Sequence, residues 1–291
     1  MDVIFGSTGF IGQNLYRYLK TKIGDDNILQ VSRNYGKKKL KVNQVKLNLK
    51  YKRNISKLKL SNINTVYICS ANPKTHIKNS IEGNKQINDN VKILRNILFF
   101  CNKFKPKNII FLSSSSVYST KNKYPLTEDD KIFPESYLGK SKKINEKQLL
   151  NYSKKNDSKV LILRIFTVYG KKMRKNQFIY QLKQKIVSKK NITIFNPETL
   201  RNMIFVKDLT KIIYRLSTIK NKKFEIFNIG TNETIKVYEI YKLFAKIKNK
   251  KHNISFFLNK NNLNHEVNLN RMQKKIGKFK FTKLSEGLKE I

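Results

Sequence analysis

The chain has 291 residues, 39% of them apolar and 11% aromatic, enough to bury the core of one or two domains and too apolar for disorder throughout. Its longest apolar runs, such as "NIIFLSS" and "KVLILRIF", fall short of the ~18 residues that cross a bilayer, so no membrane span is expected. The net charge is +43, but the lysines are spread along the whole length with Asn and Ile, without a zinc-knuckle spacing or an Arg-Gly tract, so no specific nucleic-acid binding is expected.

In chain order, residues 2–12 read "DVIFGSTGFIG". An apolar strand, Val3-Ile4-Phe5, runs into glycines at 6, 9 and 12, then into a segment whose Leu15, Tyr16 and Leu19 recur at helical spacing. In such a strand, turn and helix, Gly6 permits the tight turn and Gly9 lets the backbone approach a pyrophosphate. Gly12 lets the helix pack close to the strand, and the helix N-terminus offers donors and a positive dipole. The pattern predicts dinucleotide binding over Gly6, Ser7, Thr8, Gly9, Phe10, Ile11 and Gly12. A strand so close to Met1 leaves no room for a secretory signal, and a cytoplasmic location is expected. The next strand, "NILQVS", ends at Ser32 and Arg33, followed by Lys37, Lys38 and Lys39. A carboxylate there would accept from a ribose 2′-hydroxyl, whereas a guanidinium suits a 2′-phosphate, so the cofactor is expected to be NADP rather than NAD.

Further strands, "TVYICSA", "NIIFLSS" and "VLILRIF", alternate with helices over 84–104 and 137–154. That order predicts an α/β protein with a Rossmann-type doubly wound parallel sheet. Residues 1–170 are assigned to a NAD(P)-binding domain and 171–291 to a smaller C-terminal α/β substrate-binding region, with about 203–218 returning to the first domain. Cys69 and Cys101 lie in apolar contexts and form no metal-type pair, so they read as buried thiols and no metal is expected.

The glycine signature at 6–12 is followed by Asn48-Leu49, Cys69-Ser70-Ala71 and Asn90-Val91. Then come "SSSSVYS" at 113–119, "RIFTVYG" at 164–170, "RNMIFVKDLT" at 201–210 and "FNIGTNETIKVYEI" at 227–240. In this order, and over nearly the full chain, the segments resemble the extended short-chain dehydrogenase/reductase family, the NAD(P)-dependent nucleotide-sugar epimerases and dehydratases. The resemblance implies that Asn48 and Leu49 border the adenine and that Ser70, Ala71 and Asn90 line the cofactor. It implies that Ser114 hydrogen-bonds the reacting sugar hydroxyl, that Thr167 stands near the sugar and that Arg201 clamps the substrate diphosphate, while Arg164 is structural. Ser115 and Ser116 occupy the places where 4,6-dehydratases of the family carry an Asp-Glu pair. Eliminating water needs that second acid and base, so the implied chemistry narrows to 4-epimerisation of a nucleotide-hexose or reduction of a keto-sugar. A homodimer through the helices around 91–104 and 138–153, and sugar supply for surface polysaccharide, are further implications.

Residues 135–142, "ESYLGKSK", depart from the family pattern of a Tyr base with a Lys four residues later. Tyr137 precedes Lys142 by five, and Leu138 takes the base position counted back from Lys142. Three readings stand. A one-turn π-bulge could absorb the extra residue and reunite Tyr137 with Lys142, Tyr137 could pair with Lys140 as an i,i+3 neighbour, or the base is lost and the chain binds its ligands without turning them over.

Overall fold

A computed structural model describes residues 1–36, 40–52, 55, 58, 60–74, 77–258 and 264–291. The residues divide into two compact units. The first comprises Met1–Lys121, Asp129–Ile165 and Thr210–Phe227, the second Asn122–Glu128, Phe166–Leu209 and Asn228–Ile291.

The first unit is built on a seven-stranded sheet. Its strands are β1 (Asp2–Phe5), β2 (Ile28–Ser32), β3 (Gln44–Lys46), β4 (Thr65–Ile68), β5 (Asn108–Ser114), β6 (Lys159–Ile165) and β10 (Phe224–Ile229), in the order β10-β6-β5-β4-β1-β2-β3. Every pair from β3 through β6 is parallel. The central strands are buried along their whole length, which is why they read as unbroken apolar runs. The doubly wound parallel sheet expected from the sequence is therefore present.

Three long helices cover it: α1 (Phe10–Ile23), α2 (Ser80–Phe104) and α3 (Tyr137–Lys155). Phe100 of α2 meets Phe5 of β1 edge to face, 5.1 Å between ring centroids, within a core that includes Val31, Ile68, Leu94 and Phe111. Helix α2 begins four residues before the expected start at 84. Asn79 accepts from the Glu82 N–H at 2.9 Å while the Glu82 carboxylate accepts from the Lys78 N–H, a side-chain cap of the capping-box kind that satisfies donors at the helix start. Strand order reverses between β1 and β4, and in open parallel sheets the crevice outside the carboxyl ends at that point is where ligands bind.

The second unit contains a three-stranded sheet, β11 (Thr234–Lys236), β9 (Leu200–Phe205) and β7 (Thr167–Tyr169), and a two-stranded parallel pair, β8 (Asn191–Phe195) with β12 (Asn253–Phe257). Its helices are α4 (Phe178–Ser188), α6 (Val237–Ile247), α7 (Asn270–Ile276) and α8 (Leu284–Lys289), while α5 (Val206–Thr218) begins in this unit and continues into the first. Buried Asn202 ties the turn after β10 to β9, accepting from the Thr231 N–H at 2.8 Å and donating to the Thr231 carbonyl at 2.7 Å. None of the described helices is long and apolar enough to cross a membrane.

Candidate functional site

The glycine turn is folded as its residue types demand. Gly6 sits at φ +86°, accessible to glycine at little cost, and a Cβ there would stand 2.8 Å from the Ser70 nitrogen at the end of β4. A Cβ at Gly12 would lie 2.2 Å from the Gly6 carbonyl oxygen, so α1 reaches its packing distance only because position 12 has no side chain. Helix α1 starts at Phe10 with no side-chain cap and no acidic residue in its first turn, leaving its first N–H groups and its dipole for an anion. Beside it the Ser70 hydroxyl is buried without a hydrogen-bond partner among the described residues. An uncapped helix start, a cradle that any Cβ would fill and an orphaned buried hydroxyl fit the pyrophosphate of a dinucleotide.

Around the cradle, Thr8 is hydrogen-bonded to Ser32 at the end of β2, and Ser7 to the Tyr35 hydroxyl at 3.1 Å, which in turn donates to the Gln30 carbonyl. Arg33 is exposed directly after Ser32. Lys37, Lys38 and Lys39 lie outside the described residues. Leu49 is buried in the core cluster and Asn48 is half-buried, its side chain accepting from the Lys50 N–H at 3.1 Å. Ala71 is half-buried in the loop after β4. From α2, Asn90 accepts from the Asn72 N–H at 2.6 Å and Gln86 donates to the Asn72 and Lys74 carbonyls. Asn90 also donates to the Ser141 hydroxyl of α3 at 3.0 Å, so one side chain braces the loop against both helices. Gln86 was missed in the sequence, where one amide on a helix carries no distinguishing signal.

Ser114 ends β5, and its hydroxyl accepts from both the N–H and the hydroxyl of Ser116, the latter at 2.8 Å. This serine turn lies against the start of α3: a Cβ on Gly139 would stand 2.1 Å from the Ser116 carbonyl oxygen. The neighbouring Ser113 donates to Glu146, whose carboxylate also holds Arg164 at 2.9 Å. Arg164 is buried and donates to the Tyr118 hydroxyl at 3.1 Å, the structural role expected of it.

Lys142 and Tyr137 leave α3 in different directions. The helix is α-helical from Tyr137 to Lys155, so no π-turn absorbs the extra residue. Five residues at 3.6 per turn put the two side chains about 140° apart. Lys142 is buried, donates to the Leu112 carbonyl of β5 and lies 4.5 Å from the centre of the Phe111 ring. Burial pushes its ammonium down to about 8, against opposing pulls from Glu146 and Cys69. Burial pushes the Cys69 thiol up to about 12 and raises Cys101 as well, so neither is a thiolate at neutral pH. The Tyr137 ring instead lies on α2, where a Cβ added to Gly83 would fall 2.3–2.5 Å from three of its atoms. The Lys140 ammonium stands 5.3 Å from its centroid, the i,i+3 relation of the second reading. Gly83 was not foreseen as part of the site; its signal was a glycine inside a helix directly after a good cap, a placement that costs stability unless something needs the space.

In the second unit Thr167 opens β7 and pairs in register with Met203 of β9, one strand repeat from Arg201 on the same face. Arg201 is half-buried, and burial lowers its guanidinium, opposed by Tyr124. His265 is pushed down to about 4 by burial first and by the Arg201 charge second, so it is neutral at pH 7. Among the described residues no group of His, Cys, Asp and Glu has the arrangement of a metal site.

Comparison with known proteins places this geometry in context. The sequence pattern described as the NAD dependent epimerase/dehydratase family matches residues 3–230. The Protein CapI of Staphylococcus aureus is 27% identical over 271 residues, covering 81% of this chain and 80% of that one. UDP-glucuronate 4-epimerase 4 of Arabidopsis thaliana is 27% identical over 241 residues, 76% of this chain and 53% of that one. Among solved structures, the UDP-glucuronic acid 4-epimerase of Bacillus cereus, determined with UDP-glucuronic acid and NAD, superposes with a TM-score of 0.86 at 21% identity, covering 100% of this chain and 97% of that one. At that identity the likeness is one of fold.

Proposed function

The chain belongs to the NAD dependent epimerase/dehydratase family, and on that premise we propose that it is a 4-epimerase of a nucleotide-linked hexose. The observation that carries the reading is the end of β5. It presents Ser114 in a hydroxyl-rich turn against α3, with Ser115 and Ser116 where elimination would need a carboxyl pair. The names of the similar A. thaliana and B. cereus proteins, both UDP-sugar 4-epimerases, support the same chemistry and a UDP-sugar as the first substrate to try.

In this reading the N–H groups of Phe10 and Ile11 and the backbone of Gly6, Ser7, Thr8, Gly9 and Gly12 hold the cofactor pyrophosphate. Ser32 and Arg33 meet the adenosine ribose, Asn48 and Leu49 the adenine, and Ser70, Ala71 and Asn90 the nicotinamide half. Lys142 anchors the nicotinamide ribose. Once bound, a nicotinamide dinucleotide supplies reversible hydride acceptance. The protein's own part is proton transfer and aim. Ser114 orients the sugar hydroxyl, and Tyr137 takes its proton and later returns it, with the Lys140 ammonium 5.3 Å from the ring centroid. Arg201 holds the diphosphate and Thr167 a sugar hydroxyl. Arg33 in place of a carboxylate supports NADP over NAD. A cytoplasmic homodimer joined through α2 and α3 and supplying surface polysaccharide completes the proposal.

The test is a screen of the purified protein against UDP-, GDP-, dTDP- and CDP-hexoses with NAD or NADP. Products are read by proton NMR, because an epimer has the mass of its substrate. An inverted C4 signal is expected; consumption of NADPH with a 4-keto-sugar and no inversion would instead make the chain a reductase. The Tyr137→Phe variant should abolish turnover and keep cofactor affinity, and unchanged turnover would reject Tyr137 as the base. A second reading, ligand binding without turnover, is favoured by one observation: Leu138, which cannot ionise, stands four residues before Lys142.

A further inference from the structure

Among the described residues strand β12 pairs only with β8, and all five of its residues are exposed. Asn253 and Ser255 share one face of it with Phe257, while Ile254 and Phe256 take the other, where Phe256 meets Tyr238 edge to face. Phe256 is 54% exposed, Phe257 53% and the following Leu258 77%, and Phe195 at the end of β8 is 54% exposed. Val187 and Ile254 add to the same unit. These six are nearly half of the large hydrophobic side chains that the described residues expose, and they come from two short stretches. Of these, Phe195, Phe257 and Leu258 come together at one end of the pair; an exposed apolar cluster of that kind marks an interaction surface, whereas scattered exposed leucines need no explanation.

The charge around the patch says which kind of surface it meets. Residues 183–195 and 246–258 each carry four lysines and not one Asp or Glu. Parallel pairing with Asn253 opposite Asn191 places Lys189-Lys190 and Lys250-Lys251 beyond the same end of the pair, and Phe195 and Phe257 together at the other end, 5.3 Å between ring centroids. Lys185 lies 5.6 Å from the Phe195 ring. At ~3.3 Å per residue the aromatic end leads the lysine pairs by roughly 16–23 Å. A second copy of this chain would bring eight more lysines against these eight, so self-association through the patch is opposed by its own charge.

We propose that the β8–β12 pair is a peripheral docking wedge for an anionic lipid bilayer. Phe195, Phe257 and Leu258 enter the boundary between head groups and acyl chains, to the 5–10 Å depth usual for interfacial elements. The lysines behind them stay with the lipid phosphates, their stems along the apolar surface and their ammonium groups in the polar layer. Neither signal suffices alone, and together they give reversible attachment. No membrane span is required, so the short apolar runs of the sequence are no obstacle.

The test sediments the purified full-length chain with sucrose-loaded vesicles of phosphatidylcholine, with and without phosphatidylglycerol, at low and high salt. The parent is expected to co-sediment with the phosphatidylglycerol vesicles at low salt and to remain in the supernatant with phosphatidylcholine alone. The double variant Phe257→Ser/Leu258→Ser and the charge reversal Lys189→Glu/Lys190→Glu should each lower the partition coefficient at least ~10-fold. Both should melt within about 3 °C of the parent, because all four side chains are exposed and only the Phe195–Phe257 ring contact is given up. Parent protein that stays in solution with every vesicle overturns the proposal. Equal binding by parent and variants also does, since it would assign attachment to the bulk charge of +43. A dimer on size exclusion that the Phe257 and Leu258 changes dissolve, with no vesicle binding, replaces the lipid by a second copy.

Discussion

Replacing Lys142 with Met should make the ligand-free protein more stable at neutral pH. Burial holds the Lys142 ammonium at about 8 instead of its ordinary 10.5, and each unit of displacement is worth about 1.4 kcal/mol. The folded-state value lies below the unfolded one, so the unfolded chain binds more protons between pH 8 and 10.5. The burden is therefore full below pH 8, about 3 kcal/mol, and disappears as the pH rises through the unfolded value near 10.5. Methionine removes the charge and keeps most of the stem, at the loss of one hydrogen bond to the Leu112 carbonyl, about 1 kcal/mol. A net gain of about 2 kcal/mol at pH 7 follows, a rise of roughly 5 °C in Tm for a chain of this size. The assay is thermal unfolding of both proteins without cofactor at pH 7 and pH 10.5, where the remaining lysines titrate identically and cancel in the difference. The variant should lead at pH 7 and lose its lead at pH 10.5, while its affinity for dinucleotide falls. A variant less stable than the parent at pH 7, or a gain that does not change with pH, would refute the burial argument.

Gly83→Ala puts a methyl group within 2.3–2.5 Å of the Tyr137 ring, so the ring must move. Overpacking of that kind costs about 1–3 kcal/mol and is partly offset by the better helix propensity of Ala; turnover should fall toward that of Tyr137→Phe, with cofactor affinity unchanged in titration calorimetry. Glu146→Gln leaves the buried Arg164 without its counter-charge and should lower unfolding stability by about 3–5 kcal/mol in a urea titration.

The sheet was legible because its strands are buried on both faces and each ends in residues with a distinct requirement: Gly6 at positive φ, Ser114 before a polar turn. The α2 start was legible in principle from Asn79 and Glu82, yet the apolar periodicity that identifies a helix begins only with Ile87, so the expected boundary fell late. The contact between Tyr137 and Gly83 was not legible. It joins residues 54 positions apart through the packing of two helices, and no local pattern records which glycine faces which ring. The Ser32–Thr8 and Asn90–Ser141 bonds are of the same kind. Sequence reading assigned Thr8, Ser32, Asn90 and Tyr137 to the site but neither Gly83 nor Ser141, and only the fold shows that they hold one another.

The displaced tyrosine can be interrogated by removing a residue. Three contacts lock the register of α3 from Gly139 onward: the Ser116 carbonyl against Gly139, the Asn90 amide on the Ser141 hydroxyl, and Lys142 on the Leu112 carbonyl. Sliding the helix by one residue would turn it by 100° and bring a Cβ to the place where Gly139 clears the Ser116 carbonyl by having none. The helix therefore cannot shift to bring Tyr137 over Lys142, and the extra residue is confined to its first turn. Deleting Leu138 restores a Tyr four residues before Lys142 and leaves all three contacts in place, so dinucleotide affinity should be preserved within about twofold, well under 1 kcal/mol. If the phenol works from its seat on Gly83, the deletion carries it away from that seat and from Lys140, and epimerase turnover should drop at least ~10-fold, a loss of about 1.4 kcal/mol of transition-state stabilisation. A deletion variant that turns over where the parent does not would mean the reverse, that Tyr137 as found is no base and that the native chain binds its nucleotide sugar without acting on it.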